Sequence, residues 1–202
     1  NLGTLGDAGV TVEGFPAYYY TGQSVNTAGD VNGDGKDDFL IGSYTGDAAT
    51  DSTKSGITYL VFGASRSELG LTVDPADLDG TNGFRLNGEN TEDYSAWSVN
   101  TAGDVNGDGY DDIISGSQYP FGPNTVLVWT IDEFGLDGDV DKVIKGSSGV
   151  YFGATVAVGD LNGDGIDDIA VSAPKDTVSD IPGVGGVYVY YGSSTFTSGD
   201  TV

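Results

Sequence analysis

Three copies of one acidic nonapeptide limit what this chain can fold into. They read DVNGDGKDD from Asp30, DVNGDGYDD from Asp104 and DLNGDGIDD from Asp160. A carboxylate or amide oxygen stands at positions 1, 3, 5 and 9 of each: Asp30, Asn32, Asp34, Asp38; Asp104, Asn106, Asp108, Asp112; Asp160, Asn162, Asp164, Asp168. Position 6 is glycine, so the backbone can turn sharply and aim the carbonyl of position 7 inward. That position is Lys36, Tyr110 or Ile166. Its side chain is free to vary if only the carbonyl is used. Such an oxygen set suits a hard cation with six to eight ligands, and Ca2+ fits best. Asp, Asn and Gly also make ordinary turns, but three copies with one oxygen spacing favour a cation in each.

The flanking residues decide which kind of loop this is. An EF-hand needs a bidentate glutamate at position 12 and helices on both sides. Position 12 here is Ile41, Ser115 and Val171. The residues that follow, DFLIGS, DIISGS and DIAVSAP, are short apolar runs of strand character, and SVNTAGD, SVNTAGD and TVAVGD precede them. Each loop is therefore expected to join two strands of a hairpin.

At these residues the chain resembles a known family. The unit Gly-x-Ser-Val-x-x-Ala-Gly-Asp-x-Asn-Gly-Asp-Gly-x-x-Asp looks like the FG-GAP repeat of integrin α-subunit β-propellers and of many large bacterial surface proteins. Copy one has Gly22, Ser24, Val25, Ala28 and Gly29 in place. Copy two has Ala96 where glycine is expected and Tyr94-Ser95 where phenylalanine would lie. Copy three keeps Phe152-Gly153, is one residue shorter before the loop, and ends Ser172-Ala173-Pro174, near the GAP signature. That signature is degenerate in Gly42-Ser43-Tyr44 and Gly116-Ser117-Gln118. The resemblance implies an all-β fold of propeller-like blades with four antiparallel strands each. It also implies that the cation holds the blade while recognition lies on other loops.

The loops start 74 and 56 residues apart (Asp30 to Asp104, Asp104 to Asp160), a spacing suited to blades or a repeat array. Third strands are expected at Ile57–Phe62, Val126–Thr130 and Val187–Tyr191, and fourth strands at Phe84–Asn87 and Lys142–Lys145. Residues 1–202 then read as one array, with blades at about 15–88, 89–146 and 147–202. Blade 3 lacks an obvious fourth strand, and the run Val10–Gly14 (TVEG beside RLNG and VIKG) is a candidate to complete it. Ser65–Asn82 and Asp132–Asp141 read as surface connections, with Asp137, Asp139 and Asp141 as solvated turn residues. Because propellers commonly have four to eight blades, three imply either assembly of copies or a longer parent protein.

Composition narrows the function. The formal charge is −24, from 31 acidic against 7 basic residues, which excludes nucleic acid as a natural partner. The three loops hold twelve of the aspartates, so cation binding is expected to couple to folding. There is no His, Cys or Met. Disulfides are therefore impossible, and calcium is the expected staple. Weak loops of this kind fill outside cells, at roughly millimolar calcium. No membrane-spanning run or signal peptide is visible and no direct membrane insertion is expected; the chain reads as a mature or excised piece of a secreted, cell-surface protein. Catalysis lacks a nucleophile and base, and each well-placed carboxylate is better explained as a ligand. The leading expectation is a calcium-stabilised adhesion or scaffold module, self-associating or binding another protein or a glycan at the cell surface. Two alternatives stand beside it. One is a carbohydrate-binding module or part of a polysaccharide-degrading enzyme, with Trp97 and Trp129 as stacking candidates although both have core-like patterns. The other is a structural subunit of a filament or surface layer.

Overall fold

The computed structural model describes residues 9–14, 19–46, 54–70, 72–118, 124–132, 140–147, 149–177, 179 and 181–195. Asp137 and Asp139 lie outside these residues. Blade 1 is an antiparallel sheet in the order β2 (Ser24–Gly29), β3 (Asp38–Ser43), β4 (Ile57–Val61), β6 (Gly83–Asn87). Blade 2 repeats it with β7 (Ser98–Gly103), β8 (Asp112–Gly116), β9 (Thr125–Trp129) and β10 (Lys142–Lys145). Blade 3 has three strands among the described residues: β11 (Val156–Gly159), β12 (Asp168–Ala173) and β13 (Gly186–Tyr190).

These strands are short apolar runs because both faces of an inner blade are covered. β4 (ITYLV) and β9 (TVLVW) are buried at every residue. Residues paired across a ladder share a face, so each blade has a front and a back. The back of blade 1 (Leu40, Leu60, Leu86) packs on the front of blade 2 (Val99, Ile113, Leu127, Trp129). The back of blade 2 (Ile114, Val126, Val128, Ile144) packs in the same way on Val156, Ile169 and Val171 of blade 3. Polar contacts repeat with the blades: Ser24 donates to the carbonyl of Ala96 at 3.2 Å, and Ser98 to that of Gly153 at 3.0 Å.

The missing residue of copy three has a structural meaning. In blades 1 and 2 the first ladder shifts register between Thr27 and Gly29 and between Thr101 and Gly103, a bulge at the buried Ala28 and Ala102. Blade 3 pairs Val158 with Ile169 and Gly159 with Asp168 without interruption. The glycine expected at Ala96 is explained as well. Gly22 and Gly153 have φ of 90° and 86°, and Ala96 is held at 64° in the left-handed region that disfavours a Cβ.

Two sequence expectations are corrected. The N-terminal run does not complete blade 3. β1 (Thr11–Val12) pairs in parallel with β5 (Thr72–Val73), inside the stretch read as a surface connection. That stretch also contains α1 (Arg66–Leu69), whose start is closed by Ser65 donating its N–H to Glu68, and a 3₁₀ turn at Pro75–Asp77 capped by Asp74. Val12, Leu69, Val73 and Leu78 lie together on Ile41, Ile57, Tyr59 and Val61. They therefore cap the front of blade 1, the face a preceding blade would cover. A local apolar pattern marks a segment as strand-like, but which face it covers depends on which one is bare.

Candidate metal centre

The three loops join β2 to β3, β7 to β8 and β11 to β12, all at the same end of their blades. In each, the oxygens at positions 1 and 3 turn onto one backbone N–H. Asp34 N–H lies 2.9 Å from both Asp30 Oδ1 and Asn32 Oδ1. Asp108 N–H is 2.9 Å from Asp104 Oδ1 and Asn106 Oδ1, and Asp164 N–H is 3.1 Å from Asp160 Oδ1 and 2.8 Å from Asn162 Oδ1. The second oxygen of position 1 accepts from Gly35, Gly109 and Gly165 at 2.8, 2.8 and 3.0 Å. Position 5 accepts from the N–H of Lys36, Tyr110 or Ile166 at 2.9, 3.0 and 2.9 Å. The first six residues thus form a tight concavity lined by oxygen, and its carboxylates are solvent-exposed apart from that of the half-buried Asp104.

Position 9 behaves differently. Asp38, Asp112 and Asp168 are buried, and each carboxylate bridges two backbone N–H groups. One oxygen takes the N–H of position 2, Val31, Val105 or Leu161, at 3.0, 3.1 and 2.9 Å. The other takes an N–H just beyond the third strand: Gly63 at 2.6 Å, Ile131 at 2.9 Å and Gly192 at 3.0 Å. The same residue therefore fastens the loop to the blade. Burial pushes the Asp112 carboxyl up to about 8, against the lowering effect of its two N–H donors, and the charges of Asp108 and Asp104 add to the rise. Burial also raises Asp38, again opposed by its two donors.

The donor chemistry fits a hard cation, since every side chain offered is an oxygen ligand and positions 1 and 3 already turn to one point. Each carboxylate oxygen keeps a second lone pair beyond the N–H it accepts. The structure nevertheless differs from a ring of converged carboxylates. Among the described residues no three Asp or Glu side chains meet as a ready metal-binding group. Backbone N–H groups hold these oxygens instead, because the turn satisfies its own donors locally.

The loops are not identical. Lys36 Nζ pairs with Asp34 Oδ2 at 2.8 Å, and this contact lowers the Asp34 carboxyl and raises the ammonium. In loops 2 and 3 the amides of Asn106 and Asn162 make the corresponding contact to Asp108 and Asp164, both at 3.0 Å.

Position 8 was missing from the sequence expectations. Asp167 Oδ2 accepts from the N–H of Asp104 in the preceding loop at 3.2 Å, and the Asp167 N–H donates to the Asp104 carbonyl at 3.1 Å. A Cβ on Gly103 would collide with that Asp167 carboxylate, and one on Gly29 would meet Asp111 Oδ2 at 2.8 Å. Asp111 and Asp167 thus each lie against the loop one blade back. The sequence signal was a second aspartate in all three copies beside a glycine just before the preceding loop.

The aromatic candidates also have places. Trp129 is fully buried in the blade 1–blade 2 core, which removes it as a sugar-stacking residue. Trp97 is half-buried, with its ring edge-on to Tyr44 at 4.9 Å. Tyr19 packs on the capped front of blade 1, and Tyr20 stacks on Tyr44 at 5.3 Å. Asp141, half-buried and next to the start of β10, accepts from Thr130 N–H at 2.7 Å.

Comparison with known proteins agrees with this geometry. The family model described as "FG-GAP repeat" matches residues 18–61, 96–129 and 152–190, together more than half of the chain. The chain belongs to the FG-GAP repeat family. It is 30% identical over 170 residues to phosphatidylinositol-glycan-specific phospholipase D of Dictyostelium discoideum, covering 74% of this chain and 18% of that protein. The Bos taurus phospholipase of the same name is 36% identical over 110 residues, 48% of this chain and 13% of the relative. Integrin alpha-7 of Mus musculus is 40% identical over 97 residues, 45% of this chain and 8% of the integrin. The chain spans less than a fifth of the length of each. One FG-GAP region thus recurs in proteins named as phospholipases and as integrins, and the shared part is the repeat. Among the described residues no helix is long and apolar enough to cross a membrane.

Proposed function

We propose that this chain is a non-catalytic scaffold or adhesion module of an extracellular, cell-surface protein, whose FG-GAP blades are braced by Ca2+ in the three acidic loops. The observation that carries the reading is the threefold recurrence of one hydrogen-bonded loop, with the same oxygens turned to the same point at three places in the fold. Side chains at positions 1, 3 and 5 would hold the ion with the carbonyl of Lys36, Tyr110 or Ile166. The carboxylates of Asp38, Asp112 and Asp168 would complete the set while anchoring it to the sheet. The ion would supply charge neutralisation, and the chain's own residues supply shape. Its ligand would be another protein or a glycan at the cell surface.

The test is thermal unfolding with calorimetric titration of Ca2+. Calcium at ~1 mM is expected to raise Tm over that in excess chelator, with three ions bound per chain. Asp34→Ala, Asp108→Ala and Asp164→Ala should each remove one ion and part of the shift. An identical Tm in calcium and chelator, with no binding heat, would overturn the assignment.

A further inference from the structure

An asparagine before a glycine is open to attack by its own backbone, because glycine has no side chain to obstruct the nitrogen between them. The chain has five such pairs: Asn32-Gly33, Asn82-Gly83, Asn87-Gly88, Asn106-Gly107 and Asn162-Gly163. The fold restrains four of them. The Gly88 N–H donates to the Gly56 carbonyl at 2.8 Å. The Asn82 amide is held at both ends, by the Asp79 N–H at 3.2 Å and the Asp77 carbonyl at 3.1 Å. In loop 3, Asp160 Oδ1 holds the Gly163 N–H at 2.7 Å, and Asp164 Oδ2 holds Asn162 Nδ2 at 3.0 Å. In loop 2, Asn106 is half-buried and its Nδ2 is held by Asp108 Oδ2 at 3.0 Å. Ile166 of the next blade lies over Gly107, where a Cβ would meet its Cδ1 at 3.2 Å. Loop 1 has none of these restraints. Asn32 and Gly33 are exposed, and Lys36 occupies Asp34 Oδ2 at 2.8 Å. Among the described residues nothing accepts the Gly33 N–H or the Asn32 amide hydrogens.

From this we infer that Asn32 is a site of spontaneous covalent modification, deamidation to isoaspartate and aspartate, and that Lys36 keeps it reactive by taking the carboxylate that restrains the amide in loops 2 and 3. The Gly33 nitrogen gives its proton to solvent and bonds to Asn32 Cγ. The Cγ–Nδ2 bond breaks, and the nitrogen leaves as ammonia with a proton from water. The Asp34 N–H, 2.9 Å from Asn32 Oδ1, stands where negative charge develops during the attack. Water then opens the five-membered imide. Cleavage at Cγ gives aspartate, and cleavage at the main-chain carbonyl gives isoaspartate. One water enters, one ammonia leaves, and nothing is oxidised or reduced. Isoaspartate adds a carbon to the main chain before Gly33, so the position-3 oxygen no longer meets the Asp34 N–H and the oxygen set of loop 1 is lost. Protection by the ion rests on the proposed function: Ca2+ on Asn32 Oδ1 would fix the amide and slow the attack. The modification would then mark, irreversibly, a loop 1 that has stood empty.

The protein is aged in mildly alkaline buffer with chelator, with Ca2+, and in denaturant. Peptide mass mapping follows amide-to-acid conversion at each Asn-Gly pair, and an isoaspartyl methyltransferase reports isoaspartate. In chelator, conversion at Asn32 is expected to be about tenfold faster than at Asn106 or Asn162, the effect of one hydrogen bond broken before attack. In denaturant the five pairs should become alike. Equal rates in the three folded loops, or faster conversion at Asn106 or Asn162, overturn the proposal. Lys36→Ile, which gives loop 1 the residue of loop 3, should slow conversion at Asn32; an unchanged rate overturns the role of the lysine. Calcium should slow Asn32 as well, and calcium that binds loop 1 without slowing it overturns the protection. Calorimetry without any calcium binding would overturn the proposed function and leave the ranking in chelator standing.

Discussion

β9 and β13 hold the same place in successive blades, and their sequences, TVLVW and GVYVY, are close in character. β9 is buried at all five residues, and none of β13 is. The difference comes from what lies beside them. β9 has β10 on its free edge and blade 3 against its back, while β13 is an edge strand among the described residues. An apolar alternation tells that a strand can be buried, and neighbours decide whether it is.

That comparison can be broken directly. Leu127→Ala, in the closed junction, is expected to cost about 2–5 kcal/mol in denaturant unfolding. Val189→Ala, on the open face, should stay within about 0.5 kcal/mol. Equal losses would mean that β13 is covered in solution.

The buried staple sharpens it next. Both oxygens of Asp112 accept N–H groups, so Asp112→Asn must turn an amide NH2 toward one of them, at a cost of about 1–3 kcal/mol. An unchanged denaturation midpoint would show that the staple is absent in solution.

A pH series separates the same residue from its neighbours. The Asp112 carboxyl is raised to about 8 in the folded chain and lies near ~4 when unfolded. Between those values the folded state binds more protons, so its contribution to stability is greatest at the acid end and is lost as pH rises through about 8. In chelator, Asp112→Ala should flatten the slope in this window. Calcium should flatten it also, by favouring the ionised carboxylate. A slope in chelator that the substitution leaves untouched would assign the titration to other groups.

The smallest effect lies in loop 1. Lys36 places its ammonium on Asp34 beside the proposed ion, and Lys36→Gln should tighten calcium binding at that loop by about a few-fold. Calorimetry showing no change, or weaker binding, would mean that the lysine swings clear when the ion arrives.

Much of the fold was legible without coordinates. The acidic repeat placed three hairpin turns, the β-branched runs placed the strands beside them, and the FG-GAP resemblance supplied the blades. The oxygens at positions 1, 3 and 5 were legible too, because a nonapeptide with two glycines closes on itself by local hydrogen bonds. Position 9 was read as a cation ligand, and its burial between the N–H groups of Val105 and Ile131 was not foreseen. One of its partners lies 19 residues away and is brought near only by the ladder.

The sequence by itself determined the repeat, the hairpins and the chemistry of the loops, since each is set by residues within one turn of one another. Tertiary structure alone decided that β1 pairs with β5, that the Ser65–Asn82 connection is a cap, and that blade 3 keeps an open back among the described residues. The physical reason is that apolar faces of similar pattern compete for cover. The outcome depends on which surfaces the rest of the chain leaves exposed to water.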